Sequence, residues 1–193
     1  MLLKEFRAHR VLRLFRRLKL MLAEMYYTPE GQYKKKNSVD FKSSVIKTVR
    51  SYGSDLKVNG KTTVTNNTVL GNNVNFNGMT ITGRGRVEIG NNFHSGPDCL
   101  IISQIHNYNE GKAIPYDATY LSKPVVIKSN IWLGSRVIIL GAVTVGEGAI
   151  IQAGSVVCQD IPDFAIAGGH PAQVFKYRDI DHYMALRKAG KFH

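Results

Sequence analysis

Among six histidines, two cysteines and one tryptophan in 193 residues, one histidine stands where chemistry is expected. His106 opens the segment S-Q-I-H-N-Y-N-E-G-K-A-I-P-Y-D-A-T-Y-L-S-K-P that lies between Ile102 and Val125. An imidazole titrates near neutrality, so a histidine at the root of a long loop can act as general base toward a hydroxyl or an amine. On position alone, a surface or structural histidine fits His106 as well. Cys99 and Cys158 lack the local setting of a nucleophile and read as core or turn residues. Two cysteines are too few for a disulfide scaffold and suit a reducing, cytoplasmic compartment.

A loop of about 20 residues carries function only when something rigid holds its ends. Here that support is a period of six. Ile127, Leu133, Ile139, Val145, Ile151 and Val157 recur at every sixth residue, and Val125, Ile131, Val137, Val143, Ala149 and Ser155 sit two residues before each. With 44% hydrophobic residues, six aliphatic hits in a chosen phase arise by chance with a probability of about 0.7%. Weaker copies run through Val58, Val64, Leu70 and Phe76, and through Ile89, Ser95 and Ile101. Brief β-branched segments punctuated by Gly or Asn predict short strands joined by tight turns, and each coil must stack on its neighbours to cover its apolar face. The expectation is an all-β solenoid, a parallel β-helix. Asn66, Asn67, Asn72, Asn73, Asn91 and Asn92 suit turns that need left-handed backbone angles.

Charge divides the chain. Residues 1–50 carry 13 Lys/Arg against 4 Asp/Glu, a surplus of +9, out of +12 for the whole. The remainder is nearly balanced and shows no nucleic-acid-binding signature, so no nucleic-acid partner is expected. Over residues 2–25, Phe6, Val11, Leu14, Phe15, Leu18, Met21, Leu22 and Met25 recur at helical spacing with arginines between them. Such a basic amphipathic helix suits an anionic membrane surface, at the inner face of the membrane, or packing on its own domain or on a neighbouring subunit. The arginines exclude a secretory signal, and no run approaches the roughly 20 apolar residues of a membrane span. The expected organisation is a helical arm and linker over 1–55, with 26–55 an irregular connection. A β-helix over 56–162 with its loop at 103–124 follows, and then a tail with a short C-terminal helix over 163–193.

I-G-N-N at Ile89–Asn92, the His106 loop, K-P-V-V-I-K-S-N-I-W-L-G-S at Lys123–Ser135, I-Q-A-G-S-V-V at Ile151–Val157 and A-G-G-H-P-A-Q-V-F-K at Ala167–Lys176 together resemble the hexapeptide-repeat acyltransferases. The similarity is strongest to the sugar O-acetyltransferases of the galactoside and maltose type. The resemblance implies a left-handed β-helix, against the usual right-handed crossover. It also implies a homotrimer with sites between subunits, acetyl-CoA as acyl donor and His106 as the catalytic base. It places Trp132, Ser135, Ala153, Gly154 and Lys176 on the cofactor side: Trp132 along the pantetheine channel, Ser135 near the oxyanion, Ala153 and Gly154 at the pantetheine arm, and Lys176 toward CoA phosphates. A solvated lysine is the plain alternative for Lys176. Cys158 and Gln159 stand where relatives often have Thr-Lys. His170, in the Gly-Gly-His-Pro turn, reads as structural or cofactor-adjacent.

On the acceptor side the chain departs from these relatives. Where they offer an amide and a carboxylate to a neutral sugar, it has Asn75 and Asn77 and then Arg84 and Arg86. Guanidinium groups favour an anionic acceptor, or else these arginines are a solvated turn pair. The expected activity is O-acetylation of a sugar in a surface polysaccharide or its precursor. N-acetylation of an amino sugar, or acetylation of a xenobiotic, fits the same base. No metal site is expected, since His94 and His106 lack the close-pair spacing of the zinc enzymes that share a β-helix.

Overall fold

The structure, a computed structural model, describes residues 40–193. The amphipathic helix expected over 2–25 lies outside the described residues. Within 26–55, expected to be irregular, residues 40–48 form a helix. Phe41, Val45, Ile46 and Val49 follow one another at helical spacing, and they pack on the core at the first open end of the solenoid.

From Lys57 the chain winds through three flat faces. Face one stacks Lys57–Val58, Val74–Phe76, Phe93–Ser95, Trp132–Leu133, Ile150–Ile151 and Ala165–Gly168 in parallel, and Gln173–Tyr177 closes its far edge antiparallel. Face two stacks Thr68–Leu70, Val87–Ile89, Val125–Ile127 and Thr144–Val145. Face three stacks Met79–Thr82, Cys99–Ile102, Ile138–Ile139 and Val156–Val157. Each circuit visits face two, face one and face three in turn, so the molecule is a parallel β-solenoid, as the six-residue beat requires.

The inward positions are the ones the repeat marks. Ile127, Leu133, Ile139, Val145, Ile151 and Val157 are all buried, as are Val125, Ile131, Val137, Val143, Ala149 and Ser155. Each aliphatic side chain removed from water contributes about 1.5–3 kcal/mol, and Phe76 meets Phe93 edge to face at 5.8 Å. Cys99 is part of this core, and burial pushes its thiol pKa up.

At the corner between faces two and one, Asn73, Asn92, Asn130 and Gly148 all take positive φ. The asparagines there form a ladder: Asn73 Nδ2 donates to Asn92 Oδ1 at 3.0 Å, and Asn92 Nδ2 to Asn130 Oδ1 at 2.8 Å. Asparagine serves because it tolerates the left-handed angle and also bonds to the coil above it. After the last strand, a short helix over Ile180–Lys188 starts at Asp179, whose side chain accepts from His182 N at 2.9 Å. Tyr183 ties it to the ladder, accepting from Asn130 Nδ2 at 2.7 Å. Among the described residues no helix is long and apolar enough to cross a membrane.

Candidate active site

The interruption of the repeat is itself folded. Gln104–His106 and Tyr120–Ser122 pair antiparallel, with His106 opposite Tyr120. Asp117 organises the tip, accepting from Lys112 N and Thr119 N at 2.8 Å each and from Thr119 Oγ1 at 2.5 Å. These bonds hold the Asp117 carboxyl below its ordinary range, the Thr119 hydroxyl first among them.

The His106 ring stacks on Tyr116, with centroids 3.6 Å apart, and tilts against Tyr120 at 4.4 Å. Its Nδ1 is buried without a hydrogen-bond partner among the described residues. Arg84 comes to the same place: its guanidinium lies 6.0 Å from the Tyr120 ring centroid, and its backbone N–H donates to Gln104 Oε1 at 3.0 Å. Sequence reasoning missed the two tyrosines. Their signal was the aromatic content of an otherwise polar loop, but which of them reaches His106 depends on the strand pairing.

Trp132, Ser135 and Ala153 meet elsewhere. They line one groove of about 530 Å3 on face one and the corner that leads to face three, together with Gly96, Gly134 and Gln152. Trp132 is outward and 56% exposed. A β-carbon on Gly134 would come 2.4 Å from Ala153 N, and one on Gly96 would come 2.5 Å from Ser135 N. Only glycine lets successive corners stack this closely and leave the groove open. Gly154 adjoins Ala153 with φ +72, and its N–H donates to Ser135 O at 2.8 Å. Lys176 lies one strand further on, paired in register with Ile166 of the groove lining. His170 contacts Gly154 O through a ring nitrogen. Cys158 and Gln159 are exposed.

The residues expected on the acceptor side split between these two places. Asn75 is on face one in register with His94, which is in turn beside Trp132. Asn77 follows at the next corner and donates to Ser95 O at 2.7 Å. Arg84 is near His106, whereas Arg86 is paired with Glu88 at 2.5 Å. Within one chain His106 leaves the corner between faces three and two. That corner is opposite face one, where Trp132 projects.

The bacterial transferase hexapeptide (six repeats) family matches residues 124–159. A galactoside O-acetyltransferase of Lactococcus lactis is 35% identical over 100 residues, 52% of this chain and 47% of that protein. A galactoside O-acetyltransferase of Escherichia coli strain K12 is 34% identical over 102 residues, 53% and 49% of the two chains. The chain spans less than half the length of the curated relatives it matches. Among solved structures, a galactoside acetyltransferase in complex with coenzyme A superposes with a TM-score of 0.63 at 27% identity, covering 86% of this chain and 82% of the other. Residues 124–159 thus carry the hexapeptide transferase repeat, and the parallel β-solenoid built around them is similar to the left-handed β-helix of these acetyltransferases.

Proposed function

We propose that the chain is an acetyl-CoA-dependent O-acetyltransferase acting on a sugar hydroxyl of a surface polysaccharide or its precursor. The observation that carries this reading is the groove that gathers Trp132, Ser135 and Ala153 from successive coils, on a scaffold similar to that of a galactoside acetyltransferase with coenzyme A bound. In the proposed reaction the pantetheine arm of acetyl-CoA lies along Trp132 and Ala153, with Lys176 toward its phosphates. His106 Nε2 takes the proton of the acceptor hydroxyl as its oxygen attacks the thioester carbonyl. The tetrahedral oxyanion accepts a hydrogen bond from Ser135. When the C–S bond breaks, the CoA thiolate leaves and recovers the proton from His106, so the base returns to its starting state.

One chain keeps His106 and Trp132 apart, which supports a homotrimer in which the His106 corner of one copy faces the Trp132 face of the next. In that cleft Asn75 and Asn77 of one copy and Arg84 of another meet the acceptor. Arg84 selects an anionic acceptor, and Arg86, held by Glu88, supports the turn. Residues 1–25 are proposed to contact an anionic membrane surface from the cytoplasmic side. Flotation with anionic liposomes should show binding that weakens with salt; equal binding at high salt would contradict this.

The enzyme reading is tested by following release of the CoA thiol with a panel of nucleotide sugars, neutral glycosides and amino sugars. Transfer to a hydroxyl supports it. Transfer confined to amines would move the chain to the N-acetyltransferase class, and no CoA binding at all would sink the donor assignment. Arg84→Gln should raise KM for a charged acceptor about tenfold, the loss of one charge-assisted bond, while KM for acetyl-CoA stays unchanged. Light scattering checks the trimer, and a fully active monomer would refute it.

A further inference from the structure

Trp132 walls a second hollow, of about 370 Å3, on the side away from the donor groove. Its floor is His94 and Trp132, side by side in register on face one. Its roof is Leu186 of the last helix together with Phe192 and His193 of the segment that follows. That segment is tied down at two points: Asn73 Nδ2 donates to the His193 carbonyl at 2.6 Å, and the His193 ring stacks on His94 at 5.3 Å.

The lining is mixed in a particular way. Trp132 and Phe192 are 56% and 50% exposed, so two aromatic rings face an open space. His94 Nε2 is buried with no hydrogen-bond partner among the described residues. Burial pushes the His94 pKa down, against a main-chain contact with His193 that raises it; this favours the neutral ring, whose Nε2 can either donate to or accept from a hydroxyl. An orphaned buried nitrogen costs free energy until something bonds to it. The lining also holds three cations, Arg178, Arg187 and Lys191. Arg178 Nε donates to Gly148 O at 2.5 Å, and Arg187 is held 3.4 Å from Glu147. Lys191 has no ion pair among the described residues.

We infer that this hollow is a second acceptor subsite, which takes a sugar ring bearing an anionic group. The ring lies against Trp132 and Phe192, one hydroxyl meets His94 Nε2, and the anion meets Lys191. The inference rests on the acetyltransferase reading and deepens it, because Trp132 then separates the donor from a recognition site for the unit next to the acetylated one. Carbohydrate sites commonly pair an aromatic platform with a few placed polar groups.

Calorimetry on the full chain tests it, with α-glucose 1-phosphate, glucuronate, methyl glucoside and inorganic phosphate as probes and CoA titrated separately. Trp132, the sole tryptophan, gives a parallel fluorescence signal. Either charged sugar should bind at least tenfold tighter than methyl glucoside or phosphate, and comparison of the two tells a phosphate from a carboxylate. Lys191→Gln and His94→Leu should each weaken it about tenfold, His94→Gln should restore most of the loss, and CoA affinity should not move. If neither charged sugar binds to a protein that binds CoA, or if both variants bind like wild type, the subsite is refuted. Loss of CoA affinity in the variants would also refute it, by assigning the hollow to the donor. If wild type binds the charged sugar but not CoA, the donor reading fails while the hollow stands.

Discussion

Face one and the excursion at 103–124 each carry a histidine with one buried, unpartnered ring nitrogen, yet they hold it by opposite means. His94 sits on a strand whose register is repeated above and below, so its position is set by the stack of coils. His106 sits on a two-stranded outgrowth with no coil beyond it, and its position is set by ring contacts with Tyr116 and Tyr120. The scaffold therefore fixes a side chain through many shared contacts, and the excursion fixes one through a few. Change in the core that holds the first should appear as stability, and change in the second as turnover.

The sharpest test is His106→Ala. Turnover should fall about 10²–10⁴-fold, the usual contribution of a general base, with the unfolding midpoint within error of wild type. Parallel kinetics and urea denaturation would show this, and near-normal turnover would take His106 out of the mechanism. Leu133→Ala should do the reverse. Leu133 is fully buried in the scaffold, and its truncation should cost about 2–5 kcal/mol in urea denaturation while the folded fraction keeps its kcat.

Gly134→Ala lies between these extremes, because the added carbon presses on the backbone of Ala153 at the groove. A loss of about 1–3 kcal/mol is expected, together with a higher KM for acetyl-CoA. If stability falls and KM does not change, the groove is not the donor site.

The smallest effect belongs to pH. Bonding holds the Asp117 carboxyl below its ordinary value of 3.8. The order it contributes is therefore complete above about 3.8 and lost as pH falls through the native value. The protection of the Lys112 and Thr119 amides, whose N–H groups Asp117 holds, should fall on acidification when each exchange rate is compared with that of an unstructured peptide at the same pH. Asp117→Asn should show faster exchange at neutral pH already. Equal exchange in the two proteins would mean that backbone pairing alone orders the tip.

How much of this could be read beforehand follows the same division. The inward row from Ile127 to Val157 was legible because a repeat states its burial six times over. The outward exposure of Trp132 followed from its neighbours. The hairpin in the excursion was not legible, since strands of three residues, Gln104–His106 and Tyr120–Ser122, carry too little alternation to declare a partner. The helix at 40–48 did have a signal in Phe41, Val45, Ile46 and Val49, hidden within a stretch rich in lysine and serine. The placement of Phe192 and His193 over His94 had none, because a short unperiodic segment says nothing about which face it will meet. The separation of His106 from Trp132 could be found only by counting faces around a circuit.

That circuit has a further meaning. Lys57 pairs with Asn75 and Trp132 pairs with Ile150, each eighteen residues on, so three hexads make one lap. Lengthening the coils between His94 and Trp132 by one hexad, outside the excursion, would advance every later strand by a third of a lap. Trp132 would then leave the face that holds Asn75 and His94, although every inward residue would still find an inward place. Lengthening by three hexads would return it to that face. Corners absorb a residue or two, since Val74 pairs with Phe93 nineteen residues on and Ile150 with Ile166 sixteen, but the arrangement of functional groups returns only after a whole lap, and the kinship of such chains should be measured in whole laps.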